Sequence, residues 1–141
     1  MVKSGLIATL AAAALITLAN AAQADVLAKV SIAQQTMNVY VDGELTYTWA
    51  VSTGRRGFET PRGNFRAQWL DPEHLSSKYE NAPMPHSVFF SGGYAVHGSF
   101  DVRHLGRPAS HGCVRLSPGH AATLYGLVEE QGVRATRVVI R

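Results

Sequence analysis

The chain has 141 residues, 13 Lys/Arg against 10 Asp/Glu for a formal net charge of +3, and a single cysteine. That length is one domain's worth of chain, and one cysteine excludes an intramolecular disulfide framework. The cations are scattered, without the basic run that marks a nucleic-acid footprint; the mild positive balance suits an acidic polymer as partner.

The first 24 residues read as a secretory signal peptide. Met1-Val2-Lys3 is a positive n-region, residues 6–19 are an apolar stretch, and Ala22-Gln23-Ala24 is a small-x-small cleavage site. The alternative is an uncleaved anchor, but the apolar core falls short of the ~20 residues a span needs. The mature chain is expected to start at Asp25 and to be exported without stable membrane insertion. In an oxidising compartment stabilising cysteines come in pairs, so an unpaired thiol is a liability unless it is used. The remaining residues, 25–141, are enough to bury a core without disulfides or metal.

From there the pattern is mostly β. Residues 26–32 alternate as a half-buried strand does. Met37, Val39 and Val41 fall on one face of a second strand, Asp42-Gly43 is a strong hairpin signal, and residues 45–51 return with Tyr47, Trp49 and Val51 in phase. A turn-rich loop over 52–57 and a turn at 60–63 lead to a strand at about 64–70. Residues 71–86, with prolines at 72, 83 and 85, read as a long loop, and such loops are often lids or binding loops; His74 and His86 within it read as solvated. Short strands at 87–90 and 94–97 flank Ser91-Gly92-Gly93. Ser117-Pro118 is an N-cap with proline at the first helical position, opening a helix to about Glu130 with Ala121, Leu124, Tyr125 and Val128 on one face. Gly132 stops it, and residues 137–140 form a last strand.

The chemistry-bearing run is Ser110-His111-Gly112-Cys113-Val114-Arg115, with His97 upstream in Ala95-Val96-His97-Gly98-Ser99. A thiol is only a few per cent ionised at neutral pH and needs an imidazole to take its proton; His97 and His111 are both candidates. His111 and Cys113 stand two apart and share a face if the segment is extended, while His97 ends another strand and faces Cys113 across the sheet. The Gly112 and Cys113 amides are candidate donors to an oxyanion on an acyl carbonyl. These parts amount to acyl transfer through a thioester. The rival readings are an inert buried cysteine and a zinc site drawing on His97, His104, His111, Cys113 and His120, although neither a CxxC nor an HExxH spacing is present.

The block from His97-Gly98-Ser99 to Leu105-Gly106-Arg107-Pro108-Ala109-Ser110-His111-Gly112-Cys113-Val114-Arg115-Leu116 resembles the signature of the L,D-transpeptidase (YkuD-like) catalytic domain. Gln34-Gln35-Thr36-Met37-Asn38-Val39-Tyr40, Val51-Ser52-Thr53-Gly54, Thr60-Pro61-Arg62-Gly63-Asn64-Phe65 and Met84-Pro85 match further blocks in order, so the resemblance covers nearly all of residues 25–141. It implies a mainly β fold, a sandwich of mixed sheets with one short helix after the catalytic cysteine and a lid loop. It implies an enzyme of the bacterial periplasm acting on peptidoglycan without a cofactor or metal. Carried over by position, Cys113 is the nucleophile, His97 the base and Gly98 the carbonyl that orients it. His111 places or polarises the scissile carbonyl, and Gly112 and Cys113 supply the oxyanion donors. Arg115, Ser110, Ser99 and Tyr79 contact substrate, Arg115 as a fork for a stem carboxylate. The partners are donor and acceptor stem peptides, or an envelope protein as acceptor, and no nucleic acid. Arg115 stands where many members have asparagine, and the stretch between His97 and Ser110 is shorter than in many. A hydrolase using water as acceptor, and a non-catalytic wall-binding module, are the alternative functions.

Overall fold

A computed structural model describes residues 25–141 and, apart from them, Ala14; the expected signal peptide and its cleavage site lie outside the described residues. Among the described residues nine strands form two sheets, and one α-helix packs with them. The first holds β3 (Glu44–Ala50), β2 (Thr36–Val41), β1 (Val26–Ser31), β9 (Thr136–Ile140) and β4 (Gly63–Arg66) in that order; the second holds β5 (Trp69–Leu75), β6 (Pro83–Ser91), β7 (Tyr94–Gly98) and β8 (Val114–Leu116). Both are mixed: β1 pairs with β9 in parallel, as β7 does with β8, and the other ladders are antiparallel. The expected β-rich sandwich of mixed sheets is what the chain adopts.

Period-two alternation builds the core. Val26, Ala28 and Val30 of β1, Met37 and Val39 of β2, and Val138 and Ile140 of β9 turn to the interior from one side; Val88 and Phe90 of β6, Val96, Val114 and Leu116 meet them from the other, in one apolar cluster. The helix α1 (Pro118–Gln131) inserts Ala121, Leu124, Tyr125 and Val128 into the same cluster. Its start is as read from sequence: Ser117 caps it, Oγ accepting from the His120 amide at 3.3 Å, with proline at the first turn. Gly132 ends it at φ 95°, a left-handed value that glycine adopts without strain.

The long loop expected over 71–86 is instead most of a hairpin. Residues 69–75 and 83–91 pair antiparallel, and only residues 76–82 are irregular. The strand expected over 64–70 is two strands in different sheets, β4 and β5, with Ala67 and Gln68 crossing between them. Neither histidine of that segment is simply solvated: His74 Nδ1 lies 3.0 Å from Asp71 Oδ2, with its ring edge-on to Phe89, and His86 packs edge-on against Tyr125.

Leu124 is 1 % exposed where the helix meets both sheets. Leu124→Ala is expected to lower the unfolding free energy by about 2–5 kcal/mol, as deletion of a buried leucine side chain does, read from denaturant titration with the slope unchanged.

Candidate active site

Cys113 is the residue before β8, and the parallel register pairs Val96 with Val114 and His97 with Arg115. Val96, Val114 and Leu116 face the inter-sheet core, so the alternate set, Ala95, His97, Cys113 and Arg115, lies on the outer face of the second sheet. There Cys113 packs beside Met84, Phe89 and Ala95, and Cys113, His97, His111, Arg115, Ser99 and Tyr79 line one cavity of about 700 Å³.

His97 is 6 % exposed, and its Nδ1 lies 2.7 Å from the Gly98 carbonyl oxygen. A carbonyl only accepts, so the neutral ring carries its proton on Nδ1 and leaves the Nε2 lone pair free. Burial, reinforced by the Arg115 and His74 charges and only partly opposed by the Gly98 carbonyl, pushes the His97 pKa down to about 4. Burial pushes the Cys113 thiol above its ordinary value, against the Ala95 amide and the Arg115 guanidinium, which both favour the thiolate. The Cys113 Sγ lies 3.9 Å from the Gly93 carbonyl oxygen, which a protonated sulfur can address. Both shifts favour a neutral thiol beside a neutral imidazole over a preformed ion pair.

The segment carrying the cysteine bends over 111–113 and is not the extended run expected, although His111 and Cys113 both line the cavity. Gly112 sits at φ 124° with its carbonyl accepting from Thr60 Oγ1 at 2.8 Å, while Thr60 Oγ1 in turn accepts from the Gly54 amide at 2.9 Å. A side chain at 112 would bring its Cβ to 2.6 Å from the Tyr94 ring. Ser110 is buried and its hydroxyl is engaged by the loop, donating to the Cys113 carbonyl at 2.6 Å and accepting from the Gly112 amide at 3.0 Å. The Ser110 hydroxyl is thus a brace of the cysteine loop, where a substrate contact was expected, and the Gly112 amide expected at an oxyanion is already committed.

His111 stacks on Tyr79 from the hairpin tip (4.1 Å between ring centroids, 12° between planes) and meets Phe58 edge-on at 5.1 Å. Burial between these rings, with Arg55, Arg115 and Lys78 nearby, holds its pKa below the ordinary value. The Tyr79–His111 stack is where residues 76–82 come down over the cysteine loop. Ser99 is nearly buried, and its Oγ accepts from the Asp101 amide at 3.2 Å. Arg115 Nη1 lies 3.8 Å from Asp101 Oδ2, and the same carboxylate holds His104 Nδ1. His104 and His120 do not line the cysteine's cavity: the first pairs with Asp101, and the second stacks on Trp49. No cluster of three metal-ligating side chains exists among the described residues.

Asp101, Thr60 and Tyr94 were not singled out from sequence. Thr60 stood only as a turn residue and the first of a matching block, and nothing local marks a threonine whose partner lies 52 positions away.

The model of the L,D-transpeptidase catalytic domain family, YkuD, matches residues 25–140. The chain belongs to that family. A search of curated proteins gives no match. Among solved structures the fold is similar to an L,D-transpeptidase from Mycobacterium smegmatis (30% identity, TM-score 0.72, 83% of this chain and 58% of that one). It is also similar to those of Xylanimonas cellulosilytica (29%, 0.70, 84% and 61%) and Stackebrandtia nassauensis (27%, 0.72, 83% and 55%). The chain thus spans less than two thirds of the length of these structures.

Two outcomes follow from the neutral pair. Because the native state favours neutral His97, the unfolded chain binds more protons between the ordinary value of 6.5 and about 4. Stability is therefore fully present above pH 6.5 and is lost as pH falls towards 4, by roughly 3 kcal/mol; denaturant titrations across that window should show the fall, and His97→Gln should flatten it. Alkylation of Cys113 by iodoacetamide should still be accelerating at about pH 8.5, the ordinary thiol midpoint; a rate flat from pH 5 upward would mean a resting thiolate.

Proposed function

We propose that this protein is a peptidoglycan L,D-transpeptidase of the bacterial periplasm, exported by the signal at residues 1–24. It takes a tetrapeptide stem as acyl donor and an amine, on a second stem or on an envelope protein, as acceptor. One observation carries the reading: the only cysteine shares a cavity with a buried histidine whose Nδ1 is tied to the Gly98 carbonyl, leaving Nε2 as a base. Family membership supports the same activity.

In this mechanism the Cys113 proton passes to His97 Nε2 as Sγ attacks the carbonyl before the terminal D-alanine. The Gly98 carbonyl orients the ring and disperses the imidazolium charge, the task a carboxylate performs in other triads. With the Gly112 amide engaged by Ser110, the Cys113 amide is the donor to the oxyanion. Collapse breaks the C–N bond; His97 returns its proton to the departing D-alanine amine, leaving a thioester on Sγ. The acceptor amine attacks the thioester carbon, His97 takes up its proton, and Cys113 leaves as the thiol. Arg115, half-buried on the same face, receives a stem carboxylate through its fork of donors.

Intact-mass measurement with a tetrapeptide stem and an excess of acceptor stem is expected to show a thioester adduct, then a crosslinked product. Shortened stems alone would make the protein a hydrolase, and no adduct on a free thiol would overturn the proposal. Cys113→Ser should remove the adduct and lower turnover by about 10³-fold or more, since serine in that site is scarcely ionised, with the thermal midpoint held.

A further inference from the structure

The outer face of the five-stranded sheet carries a second set of residues that the cysteine site does not use. Alternation and register place them in rows: Tyr40, Leu27, Arg137 and Arg66 run across β2, β1, β9 and β4, and Asn38, Lys29, Val139 and Asn64 form the next row. Arg141 extends the pairing beyond β9, its amide donating to the Val30 carbonyl at 3.1 Å. Lys29, Arg66, Arg137 and Arg141 are all exposed, and among the described residues none lies within 4 Å of a carboxylate. The acids bordering the face, Asp25, Asp42 and Glu44, are gathered at one end, by the β2–β3 turn. Along these rows lies a groove of about 390 Å³, lined by Leu27, Tyr40 and Val139, by Asn64, Arg137 and Arg141, and at its acidic end by Asp25; Lys29 and Arg66 stand on the same face beside it.

Two arginines in the groove, with Lys29 and Arg66 beside it on the same face, complement an extended anionic ligand with apolar side chains. Arginine forks suit carboxylates. The cysteine lies on the outer face of the other sheet, with the whole core between, so a ligand here cannot be the one that reacts. We infer that this groove binds a second, non-reacting carboxylate-bearing stem peptide of the peptidoglycan mesh and so tethers the enzyme to its insoluble substrate. The inference rests on peptidoglycan being the substrate, as proposed above. Tethering through two separate faces raises the effective concentration of stems at the cysteine.

The test is co-sedimentation of the protein with purified peptidoglycan sacculi. Binding should weaken as salt rises, and Lys29→Gln/Arg66→Gln/Arg137→Gln should weaken it about tenfold, the scale of a few lost charge contacts, while turnover of soluble stem fragments stays at the wild-type rate. Sacculi with amidated carboxyl groups should bind wild-type protein correspondingly less, a measurement that needs no variant to fold. Wild-type retention by the triple variant, undiminished binding to amidated sacculi, or binding to anionic lipid vesicles but not to sacculi would each overturn the inference. Absence of turnover on soluble stems would strike the proposed activity instead, and leaves the sedimentation readout intact.

Discussion

The site depends on a backbone conformation that the sheet alone would not produce. A strand running straight through residues 110–116 would place His111 and Cys113 on one face and give the amides to a ladder. Gly112 at φ 124° breaks that run, and the broken turn needs its polar groups satisfied away from water. Two hydroxyls do this: Thr60 donates to the Gly112 carbonyl, and Ser110 bridges the Gly112 amide and the Cys113 carbonyl. Thr60 is reached because the segment around it is itself fixed. Buried Gln35 holds Thr53 through both its amide atoms, and Ser52 and Arg115 exchange backbone hydrogen bonds at 3.0 and 2.9 Å. The thiol is therefore aimed by residues from four separate stretches of chain, each held to the next by hydrogen bonds.

The electrostatics follow from the same burial. A thiolate–imidazolium pair needs surroundings that reward charge, and here the dominant effect on both groups is desolvation, which opposes it. Arg115 acts on both partners with opposite consequence: it favours a thiolate and disfavours an imidazolium. Burial, the larger effect at each, favours the uncharged forms of the two groups. A neutral thiol is also the less easily oxidised form.

Much of this was legible in the chain because it is local. Asp42-Gly43 marks a hairpin that is there, Ser117-Pro118 starts the helix, and alternation over 26–41 picks out the residues that face the core. The prolines misled. Pro72 lies in β5, an edge strand of its sheet, and Pro83 and Pro85 lie in the part of β6 beyond the reach of β7, which pairs only from Val88 onward. Sheets admit proline at edge strands and strand ends, so a proline-rich segment forms a hairpin where a loop is expected. The motif residues Cys113, His97 and Gly98 were readable from their spacing and resemblance, whereas the side chains that brace them were not. Thr60, Tyr94 and Asp101 acquire their positions only when strands distant in sequence are brought together, and no periodicity records that.

The place of the one helix bears on the histidine as much as on the core. Gly98 supplies the carbonyl that fixes the His97 tautomer, and a Cβ at that position would lie 3.2 Å from the Pro118 Cα and 3.3 Å from the Ala121 Cβ. The first turn of α1 thus rests directly on the backbone that holds the imidazole. Proline at that turn fits the same need, since it presents a preset φ and leaves no N–H to satisfy. The apolar stripe that carries Ala121 and Leu124 into the core therefore also packs against the residue whose carbonyl meets the His97 ring. The 2.7 Å hydrogen bond of the His97 ring is thus made to a carbonyl whose backbone is packed against the helix, with no carboxylate taking that place.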